Sequence, residues 1–153
     1  MDDRTLMETA VQAREYSYSP YSNFRVGAAL LCADGSVYTG CNMENAAFTP
    51  GICAERTAIY KAVSEGKRDF LAIAIAGGPA AAGPGELSLT APCGVCRQVM
   101  REFCDPETFR IILVTGGEDL QSWLLKDLLP LSFGPENLAS GREPGEKKEA
   151  PGA

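Results

Sequence analysis

The sequence has no histidine among its 153 residues. The commonest side-chain ligand for a transition metal is therefore missing, and any such ion must be held mainly by thiolates. Basic charge is also short: 14 Lys and Arg stand against 20 Asp and Glu, a formal net charge of −6. A polynucleotide is normally met by a basic surface, because displaced counterions drive the binding. A nucleic-acid partner is therefore not expected, whereas a nucleoside-sized ligand is compatible with this balance. No stretch approaches the roughly 18 consecutive apolar residues of a membrane span, and the opening M-D-D-R-T lacks the apolar segment of a secretory leader. The expectation is a cytoplasmic protein with no membrane partner.

What is present suits one packed domain, with 45% hydrophobic residues over a length of about a single domain. The cysteines are Cys32, Cys41, Cys53, Cys93, Cys96 and Cys104. An even set suggests disulfides in a small secreted domain; without a leader they read as reduced thiols, some of them on a metal.

Periodicity divides the chain into alternating elements. Residues 4–16 place Leu6, Ala10 and Ala13 at helical spacing, and Pro20 with its turn-forming neighbours ends that segment. F-R-V-G-A-A-L-L-C at 24–32 reads as a buried strand, Asp34-Gly35 as a hairpin turn, and S-V-Y-T-G as the returning strand. A helix is expected over 53–65, stopped by Gly66, with Ile59, Ala62 and Val63 as its apolar stripe. F-L-A-I-A-I-A at 70–76 reads as a central strand covered on both faces. The Gly/Pro/Ala stretch at 77–85 reads as a loop, 93–103 as a third helix, and F-R-I-I-L-V-T at 109–115 as another buried strand. A short edge strand over 119–123 and a last helical turn before Pro130 complete the body. Such alternation points to an α/β layered domain over 1–138. The Pro-, Gly-, Glu- and Lys-rich tail at 139–153 is expected to be disordered.

Two short stretches carry the chemistry: Cys53-Ala54-Glu55-Arg56 and Pro92-Cys93-Gly94-Val95-Cys96. A cysteine two residues before a glutamate, followed downstream by P-C-x-x-C, matches the layout of a mononuclear zinc deaminase. Catalytic zinc takes three protein ligands and keeps one position for water. Cys93 and Cys96 face the same way on a first helical turn, Pro92 suits a helix start, and Cys53 opens the other helix. Free backbone N–H groups and the helix dipole favour thiolates at both places. Three thiolates leave a surplus of negative charge on a divalent ion, which Arg56, on the same helical face as Cys53, can offset by donating to the sulfurs. Glu55 lies about 200° around the helix from Cys53. That geometry suits a carboxylate that reaches the water and moves its proton, and not one that binds the ion. Cys32, Cys41 and Cys104 read as small core residues.

Further segments extend the pattern: N-M-E-N-A-A at 42–47, G-I-C-A-E-R-T-A-I, A-V-S-E-G at 62–66, P-C-G-V-C-R-Q-V-M-R-E-F, and L-L-P-L-S-F-G-P at 128–135. Over roughly residues 5–138 the chain resembles the small homotetrameric cytidine deaminases of pyrimidine salvage. The resemblance implies a three-layer α/β fold with a central mixed sheet of about five strands flanked by helices. It implies hydrolytic deamination of cytidine and 2′-deoxycytidine, with one zinc ion per chain on Cys53, Cys93 and Cys96 and with Glu55 as the proton shuttle. It also places Asn42 and Glu44 on the ribose, Phe24 and the Ala54 backbone at the base, and Phe48 and Phe133 as aromatics shared between subunits of a homotetramer. Asn42 and Glu44, two apart in an extended segment, project to the same side. By pattern alone Phe24 shares a strand face with Val26 and Ala28 and is simply core. Phe48 stands where relatives often carry Tyr, so stacking survives there without the hydroxyl. Two other readings compete: a deaminase of a modified cytosine nucleoside, of the blasticidin type, and a non-catalytic zinc-stabilised binding module.

Overall fold

The computed structural model describes residues 1–138; the tail anticipated over 139–153 lies outside the described residues. Among the described residues the order is α1 (Asp3–Ala13), β1 (Phe24–Cys32), β2 (Val37–Cys41), α2 (Ala54–Ser64), β3 (Phe70–Pro79), α3 (Gly94–Phe103), β4 (Arg110–Gly116), β5 (Asp119–Leu124) and α4 (Leu125–Leu128). The strands form one sheet in the order β2-β1-β3-β4-β5. Only β3 and β4 run parallel; β1 pairs antiparallel with β2 and β3, and β4 with β5. The mixed five-stranded sheet with flanking helices agrees with the reading of the sequence.

Period-2 alternation sorts the strand side chains into two cores. Leu6, Met7 and Ala10 of α1 pack with Ala29, Leu31, Ala72, Ala74, Ala76, Ile112 and Val114 on one face. On the other face, Leu30, Ile73, Ile75, Ile111 and Leu113 meet Ile59 and Ala62 of α2 and Cys96 and Met100 of α3. The helices are amphipathic to match. Cys96, Val99, Met100 and Phe103 form the i, i+3, i+4, i+7 stripe of α3 that meets this core. Gly40 of β2 lies where an added Cβ would collide with the Ala54 carbonyl and the Ala58 amide. Its bare backbone lets α2 settle onto β2, and so sets where the start of α2 lies.

Two local expectations shift. β3 continues to Pro79 through residues read as loop, because β1 offers pairing partners at Val26, Arg25 and Phe24. Gly77 there faces the Thr90 side chain with no space for a Cβ, so pairing persists where the apolar pattern has ended. Pro92 does not occupy the first turn of α3. Cys93 is the N-cap and Pro92 precedes it, where its carbonyl accepts from Arg97 Nε at 2.7 Å.

Candidate metal centre and active site

Both cysteine motifs sit at helix starts. Cys53 caps α2 and Cys93 caps α3, each with extended backbone. Cys96 lies in the first turn of α3, and its N–H points to the Cys93 sulfur at 3.5 Å. Because α2 and α3 share one face of the sheet, their N-terminal ends converge. The sulfurs of Cys53, Cys93 and Cys96 all lie within 4.8 Å of one another, and Cys53 Sγ is 3.8 Å from Cys93 Sγ. A tetrahedral ion with bonds of about 2.3 Å to sulfur requires sulfur separations of about 3.8 Å, so the donor set fits zinc in both chemistry and spacing.

The charges around the sulfurs are arranged for anions. The Cys53 thiol is pulled down to about 5, first by the Cys96 thiol that donates to it, and then by Arg56 and Cys93 against the opposing effect of burial. Cys96 moves the opposite way, first through that same bond and then through burial. The pair thus shares one proton that a cation would displace. Arg56 donates to Cys53 Sγ at 3.5 Å, which is the first cause holding its guanidinium above the ordinary range. Its Nε is buried without an acceptor, spare donor capacity beside sulfurs that gain negative charge when they hold an ion.

Glu55 occupies a core-phase position of α2. Residues 55, 58, 59 and 62 form one buried stripe, and Glu55 is only 5% exposed. Burial pushes its carboxyl above the usual carboxylate range, and the negative Cys53 adds to the effect. A carboxyl whose burial favours its protonated form, two residues after Cys53, is suited to take up and hand on a proton.

The cleft in front of these groups has a volume of about 780 Å³. Cys53, Ala54, Glu55, Arg56 and Cys93 line it together with Asn42, Glu44 and Phe48. Both polar residues are clamped by the backbone around them. Asn42 Oδ1 accepts from Val26 N–H at 2.9 Å and from the Ser17 hydroxyl, and its Nδ2 donates to the Phe24 carbonyl. Glu44 accepts from the N–H groups of Tyr21 and Ser22 at 2.9 and 3.1 Å, and from the Ser22 hydroxyl. These contacts first hold Glu44 ionised through the Ser22 hydroxyl, below its ordinary range.

Phe24 and Phe133 stand off this wall. Phe24 is half-buried at the start of β1. Phe133 is 58% exposed, and Phe48 is almost fully exposed at the rim of the cleft. Sequence reading missed residues that hold the neighbours of this cleft in place: Ser17, Ser22 and Arg97. The first two sit in S-Y-S-P-Y-S-N, which the sequence marks only as a turn. Glu55 carried a further signal, its helical phase, four residues before Ile59 on the buried stripe.

Residues 1–112 match the family model described as the cytidine and deoxycytidylate deaminase zinc-binding region. The cytidine deaminase of Halalkalibacterium halodurans is 46% identical over 138 residues, 90% of this chain and 98% of that protein. The enzyme of the same name from Sporosarcina psychrophila is 43% identical over 94% of this chain and 99% of its own length. Among solved structures, cytidine deaminase from Burkholderia pseudomallei superposes with a TM-score of 0.77 at 44% identity, covering 87% of this chain and 100% of that one.

Proposed function

The chain belongs to the cytidine deaminase family of zinc-dependent hydrolytic enzymes, and from that premise we propose how its own residues carry the reaction on cytidine and 2′-deoxycytidine. The observation that carries the reading is a buried carboxyl next to three converging sulfurs at the wall of a nucleoside-sized cleft. Cys53, Cys93 and Cys96 would hold the zinc. When bound, the ion supplies a Lewis acid that lowers the pKa of water in its open position.

Glu55 accepts a proton from the attacking water and passes it to N3 as the oxygen adds to C4. It then takes the proton of the new C4 hydroxyl and delivers it to the amine as the C4–N4 bond breaks, giving uridine or 2′-deoxyuridine and ammonia. The Ala54 backbone meets the carbonyl oxygen of the base. Asn42 and Glu44, pre-set by Ser17, Ser22 and the Val26 amide, take the sugar hydroxyls without paying to order their own side chains. Arg56 offsets the excess charge of the thiolates.

The reading extends to assembly. Phe133 and Phe48 project from the chain instead of filling its core, which supports a homotetramer in which these aromatics, with Phe24, meet a base held partly by another subunit. Free cysteines and the absence, among the described residues, of any helix long and apolar enough to cross a membrane support a cytoplasmic place in pyrimidine salvage. The test is direct: metal-replete protein incubated with cytidine should lose the cytosine absorbance and accumulate uridine with one zinc per chain. Zinc-loaded protein that forms neither uridine from cytidine nor 2′-deoxyuridine from 2′-deoxycytidine rejects the reading.

A further inference from the structure

Three side chains of α3 grip the last residue of α4 and the segment that follows it. Arg97 donates through Nη1 to the Leu128 carbonyl at 2.6 Å. Gln98 Nε2 donates to the Phe133 carbonyl at 2.9 Å. Arg101 is 9% exposed; it donates through Nε to the Ser132 hydroxyl at 2.8 Å and forms an ion pair with Glu136. Gly134 packs so closely on the Arg101 guanidinium that a Cβ there would collide with it. The segment 128–138 is thus a strap laid along the helix that Cys93 caps and whose first turn carries Cys96.

Arg97 differs from the other two because its grip has two ends. Besides Leu128, it holds the carbonyl of Pro92 through Nε at 2.7 Å, the residue immediately before the Cys93 cap. A guanidinium is always charged and presents its donors in a rigid fork, so the two carbonyls are kept at a set separation. We propose that Arg97 is a positioning residue that couples the seating of this strap to the set of the metal-binding Cys93 thiol. Such coupling is reciprocal: an ion on the sulfurs steadies the strap, and the seated strap slows loss of the ion. Phe133 stands on that strap, so the same link ties the metal end of α3 to the aromatic the chain presents outward. The proposal rests on the metal reading of the three cysteines.

The test compares zinc-loaded and zinc-stripped protein. Zinc release is followed with a chromogenic chelator, and hydrogen exchange is followed at the amides of Gly134, Asn137 and Leu138, all hydrogen-bonded within the strap. Amides of the β1–β2 hairpin serve as the reference. In the parent chain, stripping zinc should speed exchange in the strap beyond any change in the hairpin. Arg97→Gln should release zinc about 10–100-fold faster, the usual effect of losing a partner that orients a ligand, and its strap should no longer respond to zinc. Arg97→Lys, whose ammonium serves one carbonyl at a time, should fall between. Arg101→Gln should loosen the strap yet leave it responsive to zinc, because the bridge from Pro92 to Leu128 is intact.

A parent strap indifferent to zinc, or a folded Arg97→Gln chain that releases zinc at the parent rate, overturns the proposal. If that variant does not fold, the parent comparison and Arg97→Lys decide. A parent chain that binds no zinc at all would sink the metal reading instead, which keeps the two failures apart.

Discussion

On the α1 face of the sheet β1 and β3 present Ala29, Ala72, Ala74 and Ala76 beside Leu31, with Ile112 and Val114 from β4; on the opposite face the strands present Leu30, Ile73, Ile75, Ile111 and Leu113 beside Ala28. The same strands, β1 and β3 above all, supply both sets by alternation. Small side chains bring one helix close to the sheet and give α1 a firm but chemically silent seat. Large ones build a deeper layer that supports two helices, α2 and α3, whose N-terminal ends, caps included, carry every proposed metal ligand and the buried carboxyl. The face that holds function is the one with more apolar volume beneath it. A buried carboxylate and three clustered thiols are costly to hold in place, and a rigid bed keeps them there.

The comparison predicts where damage matters. The largest effects belong to the α2/α3 face. Cys53→Ala should lose both bound zinc and turnover, whereas Glu55→Gln should keep its zinc and lose turnover by at least about 10²–10⁴-fold, the range assigned to a positioned proton carrier. Metal analysis and a uridine assay on the same samples separate the two; an active Glu55→Gln chain would remove Glu55 from the reaction.

Next come paired core changes. Ile75→Ala, opening a cavity beneath the functional helices, should cost about 2–5 kcal/mol in urea unfolding and speed zinc release. Ala74→Leu, overfilling the tight α1 face, should cost about 1–3 kcal/mol but leave zinc release from the folded protein unchanged. Equal release from both variants would erase the division between the faces.

The smallest effect lies at the hairpin, away from either core. Lys67 bridges Asp34 at 2.6 Å, both partly exposed. The Asp34 carboxyl is held well below its ordinary 3.8, first by the Lys67 bond and then by Ser36. Its contribution is present above that ordinary value and fades as pH falls through the depressed one. Asp34→Asn should therefore lower the melting temperature slightly at pH 7 and lose its effect in acid. A larger penalty in acid than at neutrality would contradict the sign.

Much of this was readable in advance because it is local. Helix and strand spans follow from apolar spacing, and the long run at 70–76 reads as a central strand because both of its faces are apolar. The proposed ligand trio follows from motif spacing. What escaped is non-local or polar. The last residues of β3 have no apolar pattern and are strand only because β1 pairs with them. Ser22 looks like any turn serine until Glu44 is folded against it. Arg97 and Arg101 look like the solvated side of an amphipathic helix, yet both are folded under the strap.

By itself, then, the order of residues determined the alternating elements, the two-faced central strands, and the identity of the thiols and the carboxyl, since each depends on spacing along a few turns or a few strand residues. Tertiary structure alone decided that two helix starts meet, that Glu55 is sealed from water, and that the strap is riveted to the helix bearing Cys93. Those facts require groups dozens of positions apart to be brought within bonding distance, and only the packing of helices on the sheet brings them there.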